Sequence, residues 1–266
     1  MKIVNYNNLP EPAKVMQEIK DKGYLLCHNV INKDVFLELQ NYWISKFDER
    51  KKETYDLYRR SFLLRLGDEN FWAHTKKENN DYRIKRTEFL WNEMHGLTRS
   101  TLCELHRFKN LCLNKNSEDG LNYNDNDNVC FLSMNYYPHD KGFLSEHKDI
   151  KEGSIFWMVF NLTIKGKHYE KGGLYIIDRE GRRVELDDNY KEGSVLFFDG
   201  GLSHGVDRII SSSNTGKISF FPFDYNFHKS KDIPNYIKTI IKMNDKISKL
   251  LGLSNYSKSG LKKIDK

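Results

Sequence analysis

Hydrophobic and polar positions change period near the middle of the chain. Over the first third, apolar residues recur at helical spacing. Val15, Met16 and Ile19 share one face between Pro12, tolerated in a first helical turn, and Gly23, where a helix can stop. "GYLLCHNVI" then reads as a short buried strand leading to Asn32, a candidate N-cap, and Phe36, Leu39, Trp43 and Phe47 mark a second helix. A third helical stretch is expected over 88–113. The segment 51–86 is charged and hard to read, and could hold loops that close over a site. "NKNSEDGLNYNDNDN" is polar and turn-rich, a surface loop.

After residue 128 the pattern becomes that of strands. "VCFLSMNYYP" ends at Pro138, and "SIFWMVFNLTI" is long and mostly apolar. "GGLYIID" and "RRVEL" form a hairpin about Gly181, and "GSVLFFD" and "KISFFPF" add two more strands. Short strands at close spacing predict a sandwich or closed barrel. Ile233, Ile237, Ile240, Ile241, Ile247 and Leu251 then align on one face of a predicted amphipathic helix over 232–252 that packs on the outside, and 254–266 reads as a loose basic tail. The expectation is an α+β chain with a mainly β core, one domain over 1–253: a helical part at 1–113, the β core at 128–224, then the C-terminal helix.

Charge refines this picture. The net charge of +6 is concentrated after residue 228, where ten lysines face three acids, so the body that would hold a site is near neutral. That argues against a nucleic-acid partner and leaves a solvated helix face or an acidic partner's docking surface for the basic segment. No apolar run approaches the ~20 residues of a membrane span, and the N-terminus lacks a signal-like apolar core, so a cytoplasmic location is expected. Cys27, Cys103, Cys112 and Cys130 make no C-x-x-C pair and read as reduced thiols.

The candidate chemistry lies in "FLSEHKDI". His147 and Asp149 are two apart, so on a strand they share a face while Lys148 points away. A third ligand is offered by His204, in "FFDGGLSHGVDRI", where Gly200 and Gly201 let the backbone approach a crowded site. The separation of 57 positions between the histidines accommodates the intervening strands and hairpin. Two histidines and one carboxylate form the facial set used by non-haem Fe(II) oxygenases, with the opposite coordination face open.

This order of strand, H-x-D, strands, glycine turn, His and then a basic strand residue resembles the Fe(II)/2-oxoglutarate-dependent oxygenase superfamily. "NYYP" at 135–138 is similar to the isopenicillin N synthase-like branch, and "IKDKGYLLCHNVI" to the entry of phytanoyl-CoA hydroxylase-like members. The resemblance covers 128–223 well and the helical third in outline. It implies a double-stranded β-helix, or jelly roll, with Fe(II) held by His147, Asp149 and His204, and with 2-oxoglutarate and O2 as cosubstrates. The family's usual Arg-x-Ser for the distal carboxylate is here Lys217-Ile218-Ser219. Lys217 and Ser219 share a face, and Lys supplies a point charge where Arg supplies a fork. Thirteen residues separate His204 from Lys217, more than usual, and "SSSNTG" absorbs the excess. Arg208 is the rival cation, with Asp207 or Asp199 as its other partners. By the same resemblance Asn135 and Tyr137 lie near the cosubstrate.

The retained Asp149 argues against halogenation. Phe223 stands where repair-type demethylases carry a second Arg. The implied activity is hydroxylation of a small-molecule substrate with release of succinate and CO2. A polar or anionic metabolite is preferred because Arg59, Arg60, Arg65 and Arg83 lie in the segment that would build the pocket. The alternatives are a protein or peptide hydroxylase of the same superfamily, and a cupin-like metal protein, isomerase or sensor, that is not an oxygenase.

Overall fold

Each long strand of the β region sends alternate side chains into two different interiors, and this alternation organises the molecule. The computed structural model describes residues 2–50, 72–77, 81–90, 93–121, 128–149, 156–213 and 215–226. The predicted helix at 232–252, the tail, and all of 51–71 with Arg59, Arg60 and Arg65 lie outside the described residues. In chain order the elements are α1 (Pro12–Lys22), β1 (Tyr24–Cys27), α2 (Lys33–Arg50), β2 (Trp72–Lys77), β3 (Asp81–Phe89) and α3 (Gly96–Cys112). Then come β4 (Asn128–Tyr137), β5 (Phe143–His147), β6 (Phe156–Asn161), β7 (Lys171–Ile177), β8 (Arg183–Glu185), β9 (Val195–Asp199), β10 (His204–Ile210) and β11 (Lys217–Asn226).

Hydrogen-bonded neighbours follow the path β1-β9-β6-β11-β4-β3-β5-β10-β7-β8, with β2 on β3. All strand pairs are antiparallel, and the sheet curls into the two layers of a jelly roll, the mainly β architecture expected. On the outer face of the larger layer, Leu132, Met134 and Tyr136 of β4, Met158 and Phe160 of β6, Phe197 of β9 and Phe220 of β11 are buried under the helices. Val15 and Ile19 of α1, Phe36, Leu39, Trp43 and Phe47 of α2, and Leu102, Leu105 and Phe108 of α3 cover them. Full burial of such side chains is worth roughly 1.5–3 kcal/mol each, which holds the helices to the sheet. The opposite face contributes Tyr137, Val159, Leu196 and Phe198, which meet Leu174, Ile176 and Val206 of the second layer.

The helix starts and stops follow local chemistry. Asn32 caps α2, its Oδ1 accepting from the Asp34 N–H at 2.9 Å. Gly23 ends α1 at φ 91°, a left-handed conformation that favours glycine. The third helix is shorter than expected and begins at Gly96. Glu88 and Phe89 belong instead to β3, opposite Leu132 and Phe131 of β4. Within the segment read as possible loops, residues 72–77 and 81–86 are sheet. Its alternation escaped notice because the inward positions of β3 are Arg83 and Lys85 while Ile84 and Arg86 face the helices. Arg86 is balanced there by Glu93 at 2.5 Å and by the face of Trp43.

Candidate metal centre

His147 is the last residue of β5 and His204 the first of β10, and the antiparallel register places them directly opposite each other. Their ring centroids are 4.4 Å apart. Asp149 lies two residues past the end of β5 and not on it. Its N–H donates to the Gly200 carbonyl at 3.1 Å, which turns the carboxylate back towards the two imidazoles. Oδ1 is 3.3 Å from His147 Nε2 and Oδ2 is 3.3 Å from His204 Nε2.

In both histidines the Nδ1–H donates at 2.9 Å to a carbonyl two residues earlier, Ser145 for His147 and Leu202 for His204. This contact fixes the tautomer and leaves each Nε2 lone pair aimed at the shared space. The three ligand atoms lie within 4.8 Å of one another. Burial pushes the Asp149 carboxyl up, but the two imidazoles, which donate to it from Nε2 when protonated, outweigh this and hold the group well below the usual carboxylate range. The hydrogen bond to Asp149 raises His147. A preformed anion between two oriented nitrogens suits a dication with coordination positions left over. Close packing behind the centre requires glycine at 200, because a Cβ there would meet the Trp157 indole nitrogen at 1.8 Å.

A cavity of about 270 Å³ is lined by His147, Asp149 and His204 together with Lys217 and Ser219. Lys217 opens β11 and is 1% exposed. Its Nζ stands 2.7 Å from Asp187 Oδ2, yet has no hydrogen-bond partner of good geometry, so its donors are not used up by that contact. Burial lowers the ammonium pKa and Asp187 opposes the fall. Asp187 was not anticipated as part of the site. It accepts from Tyr169 OH at 2.6 Å, from Asn161 Nδ2 at 2.9 Å and from the Leu174 N–H at 2.9 Å. Ser219 sits one strand repeat further, between Asn135 of β4 and Asn161 of β6. A carboxylate-ended ligand chelating a metal here would find an ammonium and a hydroxyl in the walls of the same cavity, so the donor set fits 2-oxoglutarate as well as Fe(II).

Asn135 and Tyr137 also line the cavity, and both accept from Arg83 Nη1, at 3.2 and 3.3 Å. Arg83 is further paired with Asp81 at 3.1 Å. Arg208 is not brought to the cavity. The register of β10 shifts between Asp207 and Ile210, and Arg208 is exposed on the outside over Phe143. The two acids considered for it are engaged elsewhere, Asp207 by Arg183 and Asp199 by Arg179. Sequence reasoning also missed Lys85 and Trp157, which complete the walls. The i, i+2 spacing of Arg83 and Lys85 was the available signal.

A second cluster of ligating types, His106, Cys130 and Asp224, lies in the protein interior. Lys109 and Lys115 stand 3.2 and 3.5 Å from Asp224 and supply the positive charge themselves. Burial lowers His106 to about 4. This is a buried ion network.

No family model matches the chain, and no curated protein matches it in sequence. Solved structures do match in shape. A prolyl-4-hydroxylase from Pseudomonas putida superposes with TM-score 0.56 at 13% identity, covering 82% of this chain and 100% of that one. A prolyl hydroxylase from Trichoplax adhaerens, in complex with a hypoxia inducible factor peptide fragment, gives 0.52 at 12% identity over 81% and 89%. EctD from S. alaskensis in its apoform gives 0.51 at 16% identity over 82% and 78%. The fold is therefore the jelly roll of the Fe(II)/2-oxoglutarate oxygenases.

Proposed function

We propose that this protein is an Fe(II)- and 2-oxoglutarate-dependent oxygenase that hydroxylates a small polar metabolite. The observation that carries the reading is the pair of imidazoles whose Nδ1–H groups are tied to backbone carbonyls while both Nε2 atoms converge on Asp149. His147, Asp149 and His204 would hold Fe(II), leaving one face of the metal free. Lys217 and Ser219 would receive the distal carboxylate of 2-oxoglutarate, with Asn135 and Tyr137 on the adjoining wall.

Bound Fe(II) supplies the oxidising chemistry: O2 and 2-oxoglutarate are consumed, succinate and CO2 leave, and a substrate C–H becomes C–OH. The chain's own part is to bind and to orient. Asp149 offsets part of the metal's charge, Lys217 fixes the cosubstrate's far end, and the apolar wall of Val159, Leu174, Phe198 and Val206 keeps the cavity dry around the reacting centre. A volume of about 270 Å³ suits a cosubstrate and part of a small substrate.

The direct test is anaerobic addition of Fe(II) and 2-oxoglutarate. A visible metal-to-ligand charge-transfer band is expected, lost in His147→Ala. Absence of the band from the wild-type protein would leave the cupin-like alternative, a metal protein that binds without turnover.

A further inference from the structure

The cavity wall changes character along β11. Lys217 and Ser219 stand at the start of the strand, and Phe221 and Phe223 follow on the same face. The ring centroid of Phe221 is 4.5 Å from that of Trp157 on β6, at an interplanar angle of 40°, and that of Phe223 is 6.3 Å away at 77°. Direct contacts put this aromatic corner at the metal's end. Trp157 pairs with Phe198 of β9, whose ring is 5.3 Å from that of His204. The Trp157 indole packs against Gly200, the residue whose carbonyl holds the Asp149 N–H. Phe223 lies six positions from Lys217, about 20 Å of extended strand, so a short dicarboxylate held by Lys217 stops before it. Trp157, Phe221 and Phe223 are each half-buried, and all three line the cavity, so their rings are not closed over as core rings are.

We propose that the molecule oxidised at this site carries a flat aromatic or heteroaromatic ring, and that Trp157, Phe221 and Phe223 receive it beside the metal. The inference rests on the oxygenase reading and adds a ring to the small polar metabolite. Trp157 and Phe223 stand nearly perpendicular, so a flat guest can stack on one and meet the other edge-on, and such pairings contribute beyond the area they bury. A cation also seeks aromatic faces, but the charge here opposes one. Lys109 Nζ already stands 6.0 Å from the centre of the Trp157 ring. Among the described residues that line the cavity, Arg83, Lys85 and Lys217 outnumber the one acid, Asp149. The three rings determine specificity: they bind and orient the substrate and move no proton.

The test uses protein labelled with 5-fluorotryptophan, loaded with Zn(II) in place of Fe(II) and saturated with 2-oxoglutarate. Phenol, cyclohexanol and tetramethylammonium are titrated in separately while the Trp157 fluorine resonance, assigned by its loss in Trp157→Phe, is followed. A saturable shift with phenol is expected, with cyclohexanol weaker by about threefold or more and tetramethylammonium weaker than phenol. Phe223→Leu and Phe221→Leu keep an apolar side chain and should each weaken phenol about two- to tenfold, the worth of one aromatic pairing, with 2-oxoglutarate affinity in Phe223→Leu within about twofold of wild type by calorimetry. The proposal is overturned if cyclohexanol binds as tightly as phenol, if tetramethylammonium binds more tightly, or if none of the three moves the Trp157 resonance. It is overturned equally if both leucine variants bind phenol as the wild type does, or if Phe223→Leu loses the cosubstrate. Absence of metal-dependent 2-oxoglutarate binding would instead refute the oxygenase reading, and the phenol titration would then judge the aromatic wall by itself.

Discussion

Replacing Asp187 with Leu should be among the most damaging single changes in the cavity wall. The carboxylate is 2% exposed and its partner Lys217 1%. It faces Lys217 at 2.7 Å and accepts three further hydrogen bonds, from Tyr169, Asn161 and Leu174. Removing one member of a buried ion pair costs about 3–5 kcal/mol, because the survivor keeps its desolvation penalty without its counter-charge. For a chain of this size about 1 kcal/mol moves the melting temperature by roughly 2–4 °C, so a fall of about 6–20 °C is expected. Thermal unfolding followed by circular dichroism reads it directly. The sharper measurement is the cycle with Lys217→Met. The double variant places apolar groups at both positions and should recover much of the loss, giving a coupling energy of about 3 kcal/mol. Two losses that simply add, or an Asp187→Leu cost under about 1 kcal/mol, would show that the pair is not a unit and that Lys217 is free of Asp187.

Lys217→Ala should weaken 2-oxoglutarate binding about tenfold or more, while Arg208→Ala, lying outside the cavity, should leave it within about twofold; calorimetry that ranks them the other way rejects the cosubstrate assignment. Lys85→Met should raise the stability of the ligand-free protein, since a shift from 10.5 to about 8 corresponds to a penalty of about 1–3 kcal/mol once the ammonium's partial access to water is discounted. Below about pH 8 that penalty is fully present, and it disappears as pH rises towards the unfolded value near 10.5, because the unfolded chain then binds more protons than the native one. Urea unfolding should therefore show the gap between Lys85→Met and wild type narrowing from about pH 8 upwards, and a constant gap would contradict the burial argument. Gly200→Ala should cost about 1–3 kcal/mol through collision with Trp157, measured in the same unfolding assay.

The grouping of His147, Asp149 and His204 was legible from the short H-x-D spacing and from the glycine turn before His204, although Asp149 lies past the end of β5 and is brought round by its N–H bond to Gly200 and not by strand period. The strands β4, β6, β9 and β11 were legible for a related reason: their two buried faces make nearly continuous apolar runs. What escaped was set by long-range placement. β3 reads as a charged loop because its inward face points at a polar cavity, so the usual contrast between apolar and polar positions is missing. Asp187 sits in a 3-10 turn among other acids in "ELDDN", and nothing local distinguishes it from its exposed neighbour Asp188. Arg208 keeps the strand spacing from His204 that would turn it inward, but the register shift in β10 breaks the alternation before it.

The double attachment of β3 bears on how such a site could be retargeted. Residues 84–89 pair with β4 and residues 81–82 with β5, so one strand joins the two layers along the cavity wall. Point substitutions at 83 and 85 change the charge presented to a ligand and leave the pairing untouched. A one-residue insertion or deletion between 81 and 85 is a different event. The slip would exchange the two faces of the strand, sending the cations under the helices and Ile84 into the cavity. Specificity at this wall is thus open to change by replacement and closed to change by altered length, which marks 83 and 85 as the positions to randomise in a search for new substrates.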